Sequence, residues 1–115
     1  MGTNSSRTKG VPEGVSVQEY IDSLVNEHTI TVFSKSYCPY CRSAKSLLQK
    51  EYADQDIEIV ELDQLEDGST IQDALEDKTG QRSVPNIFVK KQHIGGNDDT
   101  QAAHRAGKLK ELLAV

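Results

Sequence analysis

This chain of 115 residues has two cysteines, three prolines, one methionine and no tryptophan. Small secreted domains held by disulfides collect several cysteines, so a single pair argues against a disulfide scaffold and suits a reducing compartment. Basic residues are outnumbered, 13 Lys and Arg against 18 Asp and Glu, and the formal net charge is −5. A nucleic-acid surface would be basic, so this balance argues against one. No apolar run approaches the roughly 20 residues that span a bilayer. The N-terminus lacks the apolar core of a signal peptide. The expectation is a soluble, cytoplasmic chain with no membrane attachment, unless an organellar targeting segment has been removed upstream of it. With 36% hydrophobic and 27% charged residues, the length suits one globular domain with a modest core.

Both cysteines fall in one stretch, Ser34-Lys35-Ser36-Tyr37-Cys38-Pro39-Tyr40-Cys41. Before it, Ile30-Thr31-Val32-Phe33 is short, apolar and β-branched, and reads as a strand. After it, Ala44, Leu47 and Leu48 recur at helical spacing between Arg42 and Tyr52. The Cys-x-x-Cys therefore lies where a strand hands over to a helix. A helix N-terminus presents unpaired N–H groups and the positive end of its dipole. A cysteine capping it has its thiolate stabilised and its pKa lowered. Pro39 suits the first helical position, where a missing N–H costs nothing. Cys41 lies about one turn further in, within reach of Cys38, and Lys35 adds a positive charge.

Three other readings compete with a redox dithiol. A structural disulfide over so short a loop would constrain the unfolded chain little. Half of a zinc site would need further ligands, and His28, His93 and His104 are scattered. Two inert buried thiols would leave the proline and the strand-to-helix placement unexplained. The redox reading is favoured, because this motif in a βαβ setting is a redox signature.

Residues 1–14 are rich in Gly, Ser, Thr and Asn, and read as a flexible leader or an expression remnant. Residues 15–115 read as one domain. Ser16 and Glu19 form a capping box that opens an amphipathic helix reaching about His28. Ile57 to Leu62 alternates as a second strand, parallel to the first if the intervening helix makes a right-handed crossover. Gln64 to Gly68 reads as a polar loop. Ser69 and Gln72 look like a second capping box, on a helix carrying Ile71, Ala74 and Leu75 and ended by Gly80. Asn86 to Val89 is a third strand with Pro85 at its start. Lys90-Lys91-Gln92 reads as a turn and His93-Ile94-Gly95 as a short return strand, with His93 at the hairpin surface. Gly95-Gly96-Asn97-Asp98-Asp99 opens another helix with Asn97 or Asp98 as N-cap and Ala102, Ala103 and Ala106 inward. A last short helix carries Leu109, Leu112 and Leu113. The order α-β-α-β-α-β-β-α indicates a small α/β layer fold with a mixed four-stranded sheet flanked by helices.

Taken together, Cys38-Pro39-Tyr40-Cys41, then Gly80-Gln81-Arg82-Ser83-Val84-Pro85, then Gly95-Gly96-Asn97-Asp98-Asp99 resemble the dithiol glutaredoxins. The resemblance runs from about Val17 to Leu113. Thioredoxin is a poorer match, since it would carry Trp-Cys-Gly-Pro-Cys. One departure is Ser83, where the family commonly has threonine.

The resemblance implies a thioredoxin-like fold and a glutathione-dependent thiol–disulfide oxidoreductase. Its substrates would be protein–glutathione mixed disulfides and protein disulfides, at a potential of about −200 to −230 mV. Cys38 would be the nucleophile and Cys41 the resolving thiol. Lys35 would favour the thiolate and meet a glutathione carboxylate. Tyr40 would flank the groove, and Gln72 would reach the glycyl carboxylate. Val84, before a cis Pro85, would offer its backbone to the cysteinyl unit. Gly96, Asp98 and Asp99 would hold the γ-glutamyl end at a helix N-terminus. Glutathione is the expected co-substrate, no metal is expected, and the chain is expected to be a monomer. The alternative the family allows is a dimer holding a 2Fe-2S cluster through Cys38 and glutathione. Pro39 argues against it, because the family's cluster binders usually carry a smaller or more flexible residue there.

Overall fold

The computed structural model describes residues 7–114. Its elements are α1 (Val17–Glu27), β1 (Ile30–Ser34), α2 (Pro39–Glu51), β2 (Ile57–Glu61), α3 (Gly68–Thr79), β3 (Asn86–Val89), β4 (Gln92–Gly95), α4 (Asn97–Arg105) and α5 (Lys108–Leu113). The four strands form one sheet in the order β2-β1-β3-β4. β1 and β2 are parallel, with Val32 opposite Ile59. β3 runs antiparallel to β1, with Val32 opposite Ile87, and β4 runs antiparallel to β3, with Phe88 opposite His93. The expected mixed four-stranded sheet flanked by helices is what forms.

Strand alternation divides the core in two. On one face Phe33, Val60 and Phe88 pack with Ile21 and Val25 of α1 and Ile71 and Leu75 of α3. The Phe33 and Phe88 rings meet edge to face with centroids 6.1 Å apart, a favoured aromatic geometry. On the other face Ile30, Val32, Ile87 and Val89 pack with Ala44 and Leu48 of α2 and Leu109 of α5. All five residues of β1 are buried, so the strand that delivers the cysteine motif is anchored along its whole length. That places the motif at a rigid strand end.

The local signals mostly formed as the pattern indicated. The Ser16 hydroxyl accepts from the Glu19 N–H at 3.1 Å, and the Glu19 carboxylate accepts from the Ser16 N–H at 3.0 Å. Gly80 ends α3 in the left-handed region, with φ 79°. Lys90 and Lys91 both have positive φ, the conformation of a two-residue hairpin turn matched to strand twist.

Three details differ. First, α3 begins at Gly68, not after Ser69, and its N-cap Asp67 makes no side-chain cap. The Asp67 carboxylate turns away instead and accepts from the N–H groups of Gly10 at 2.7 Å and Val11 at 3.0 Å. The second capping box is therefore absent. Second, the stretch read as a leader is tied down over part of its length. Thr8 bridges to Leu65 and its carbonyl accepts from the Glu66 N–H at 2.8 Å. Residues 1–6 lie outside the described residues. Third, of the three alanines expected inward only Ala103 packs against the core; Ala102 of α4 and its C-cap Ala106 are exposed, while Thr100 is buried, its hydroxyl donating to the Gly96 carbonyl at 2.8 Å.

Candidate active site

Cys38 is the N-cap of α2 and Pro39 its first residue, as the strand-to-helix placement requires. The Cys38 thiol is half-buried and Cys41 is buried; both are free. Partial burial opposes the Cys38 thiolate, but the N–H groups of Cys41 and Tyr40, the Cys41 thiol and the charge of Arg42 outweigh it. The Cys38 pKa is lowered as a result. No regular capping bond closes onto the sulfur, so the amides act on it as the oriented dipoles of a helix start.

Cys41 goes the other way. Burial pushes its thiol pKa up, and the neighbouring Cys38 thiol and charge add to that, while the Lys35 N–H and the Ser34 hydroxyl pull it down only in part. The Lys35 N–H donates to the Cys41 sulfur at 3.4 Å. One thiol is thus reachable and acidic, the other enclosed and protonated. That asymmetry is what a nucleophile and a resolving thiol need.

The charge that favours the Cys38 thiolate is that of Arg42, which the sequence reading passed over. The Lys35 charge acts on Asp63. Burial opposes the Asp63 carboxylate, but bonds from the Ser36 hydroxyl and N–H, helped by Lys35, hold its pKa below the usual range. The Ser36 N–H donates to Asp63 Oδ1 at 2.9 Å and its hydroxyl to Oδ2 at 2.5 Å. This pins the loop between β1 and α2 to the helical turn Leu62–Gln64 that follows β2.

Beside the motif lies a cleft of about 370 Å³. It brings together Tyr40, Val84, Pro85, Gly96, Asp98 and Asp99. The Val84–Pro85 peptide is cis. Tyr40 stands largely exposed at the cleft's edge, 65% accessible. Gly96, and not Asn97 or Asp98 as expected, is the N-cap of α4, so the N–H groups of that helix open toward the cleft, and the Asp99 carboxylate accepts from the Gly96 N–H at 3.4 Å. Lys35 and Gln72 are not on its walls. Gln72 does not bond back to Ser69 either. Its amide donates to the Arg82 carbonyl at 2.8 Å, across to the segment that leads into Val84.

Gln81 was missed in the sequence. Its side-chain amide donates to the Ser83 and Pro85 carbonyls, both at 3.0 Å, and so braces the cis-proline turn from inside while lining the cleft. Nothing in a local pattern marks such a residue, because its partners are defined by the turn. A larger hollow of about 810 Å³ runs beside β2 between Arg7, Tyr20 and Leu65. It contains neither cysteine and its walls carry Glu58, Glu61 and Asp63, so it offers no thiol. His93, expected at the surface, is half-buried and bonds Asn86 Oδ1 through Nε2 at 2.8 Å.

Residues 30–94 match the Glutaredoxin family model. The chain is 48% identical over 100 residues to Glutaredoxin-C8 of Oryza sativa subsp. japonica, covering 87% of this chain and 74% of the relative. Among solved structures it is similar to a buckwheat glutaredoxin–glutathione complex, at 43% identity and TM-score 0.78 over 85% of this chain and 87% of that one. It is also similar to the holo form of glutaredoxin C1 from Populus tremula x tremuloides, at 38% identity and TM-score 0.78 over 85% of this chain and 95% of that one.

Proposed function

This chain belongs to the glutaredoxin family and is a thiol oxidoreductase of that family, and we propose that it uses glutathione to reduce protein–glutathione mixed disulfides and protein disulfides. The observation that carries the reading is a lowered-pKa thiol at the start of α2, Cys38, two residues before Tyr40, which lines a cleft that ends on a second helix N-terminus. The buckwheat relative is described in complex with glutathione.

In this reading the Cys38 thiolate attacks the glutathione sulfur of a mixed disulfide, and the protein thiolate leaves and takes up a proton. Cys38 then carries glutathione through a disulfide. A second glutathione thiolate attacks the glutathione sulfur, oxidised glutathione departs, and the Cys38 thiolate returns. This cycle needs only Cys38. With a protein disulfide, Cys38 attacks first; Cys41 loses its proton, attacks the Cys38 sulfur and expels the second protein thiolate. Two glutathione molecules then reduce the Cys38–Cys41 bridge.

The cleft residues take the roles the family resemblance gives them. Val84 offers its backbone to the cysteinyl unit, beside Pro85. The α4 N–H groups at Gly96 receive the γ-glutamyl carboxylate, and Asp98 or Asp99 its ammonium. Tyr40 covers the open side. Lys35 and the second N–H of the Gln72 amide are the donors for the glycyl carboxylate. To test this, Cys41→Ser is glutathionylated at Cys38 and its amide resonances are compared with the free protein. Shifts concentrated at Tyr40, Val84 and Gly96 to Asp99 support the placement. Shifts confined to the first turn of α2 contradict it.

The likeness to a poplar holo form supports a second reading, a bound cofactor, which in this family includes an iron–sulfur cluster shared by two chains. Among the described residues no group of three or more His, Cys, Asp and Glu side chains comes together. One chain thus offers the Cys38 thiolate, and the remaining ligands would come from glutathione and a second copy. Anaerobic reconstitution with iron, sulfide and glutathione tests this: visible absorbance eluting with a dimer supports it, and a colourless monomer contradicts it.

A further inference from the structure

Ser34 is the last residue of β1. It is 0% exposed, and its hydroxyl has no hydrogen-bond partner among the described residues. Buried hydroxyls are paired as a rule, so one left alone calls for a reason. The hydroxyl acts on a neighbouring group, the Cys41 sulfur, whose thiolate it favours. From the next residue along, the Lys35 N–H donates to that same sulfur at 3.4 Å. The Lys35 N–H thus already bonds this enclosed sulfur, and the unpaired Ser34 hydroxyl is a second donor, from the preceding residue, that has yet to close onto it. As a thiol, Cys41 is a weak acceptor and gives the hydroxyl little to bond. As a thiolate in a buried site it needs donors from the protein, because burying an unpaired charge is costly.

We propose that Ser34 is a positioning residue for Cys41, its hydroxyl and the Lys35 N–H forming a two-donor cradle that holds the Cys41 thiolate as it resolves a mixed disulfide on Cys38. The inference rests on the dithiol branch of the function proposed above. In that step the Cys41 thiol gives its proton to solvent and its sulfur bonds to the Cys38 sulfur. The bond from Cys38 to the substrate sulfur breaks, and the substrate leaves as a thiolate with that electron pair. Ser34 keeps its proton throughout and serves as a donor. The cycle that runs through Cys38 alone makes no use of the cradle.

The test uses one equivalent of dithionitrobenzoate, a disulfide of two coloured aromatic thiolates, with no glutathione present. Attack by Cys38 releases the first coloured thiolate. Attack by Cys41 on the resulting mixed disulfide releases the second. Wild type shows both phases, and Cys41→Ser shows only the first. Ser34→Ala is expected to keep the first phase and slow the second on the order of tenfold, the scale of one hydrogen bond to a charged group. Ser34→Thr retains the hydroxyl and returns the second phase close to the wild-type rate. A second phase unchanged in Ser34→Ala overturns the inference, as does equal slowing in the alanine and threonine variants. A wild type lacking the first phase would instead overturn the nucleophile assigned to Cys38, and the inference with it.

Discussion

Cys38 and Cys41 stand one helical turn apart at the start of α2, and their surroundings push their thiols in opposite directions, Cys38 down and Cys41 up. The division of labour between nucleophile and resolving thiol is built from burial and amide direction. The charge assisting Cys38 comes from Arg42 in the helix that Cys38 caps.

Alkylation should reveal this directly. With the protein reduced, iodoacetamide is expected to modify Cys38 first, with a pH midpoint below that of an ordinary thiol. In the unfolded chain the midpoint should return to that ordinary value. The sign for stability follows: the Cys38 pKa is lower folded than unfolded, so the stabilisation of its thiolate is fully present above the unfolded value. It is lost as pH falls through the folded value. Mass spectrometry of the two cysteine peptides across pH checks this, and equal labelling of both at every pH would refute the asymmetry.

Gln81 should matter for glutathione use although it lies away from the sulfur chemistry. Gln81→Leu removes both donations to the cis-proline turn, to the Ser83 and Pro85 carbonyls. The expected result is a KM for a glutathione mixed disulfide raised several-fold with kcat less affected. Stability should fall by about 1–2 kcal/mol for the lost hydrogen bonds. Steady-state kinetics and urea unfolding check the two parts, and an unchanged KM would return Gln81 to a purely local role.

Gly68 sits in the first turn of α3, where alanine would ordinarily strengthen a helix. Here a β carbon would run into the Leu62 carbonyl, which belongs to the backbone and cannot swing aside. Gly68→Ala should therefore destabilise, by about 1–3 kcal/mol on the scale of an overpacked site. Chemical denaturation decides it, and a more stable variant would show that the β2–α3 connection yields easily.

What could be read in the sequence was whatever is settled by neighbours along the chain. Ser16 and Glu19 are three residues apart, so their reciprocal bonds were visible as a pattern. Cys38 followed by Pro39 after an apolar β-branched run fixed the strand-to-helix turn in the same way. Asp67 shows the limit. Its carboxylate is drawn to Gly10 and Val11, more than fifty residues away, and only the folded chain brings them together. Without Asp67 as a side-chain cap, the Ser69–Gln72 pattern looked like a helix start. Gln72 itself answers to Arg82 across the turn. Ala102, Ala103 and Ala106 were expected inward because they are apolar and at helical spacing, and only Ala103 packs on the core. Thr100 took the buried place, since its hydroxyl is satisfied by the Gly96 carbonyl. Of the candidate site, the cysteines came from local pattern, the other residues from the family resemblance, and Arg42, Gln81 and Ser34 only from three-dimensional placement.

The most direct test of the account is glutathione-dependent reduction of a small glutathione mixed disulfide, measured through glutathione reductase for wild type, Cys38→Ser and Cys41→Ser. The account predicts turnover in wild type and in Cys41→Ser, and none in Cys38→Ser. Reduction of a protein disulfide should fall sharply in both variants. A folded wild type that does not turn over the mixed disulfide, or a Cys38→Ser variant that does, would contradict the assignment of Cys38 as the glutathione-linked nucleophile.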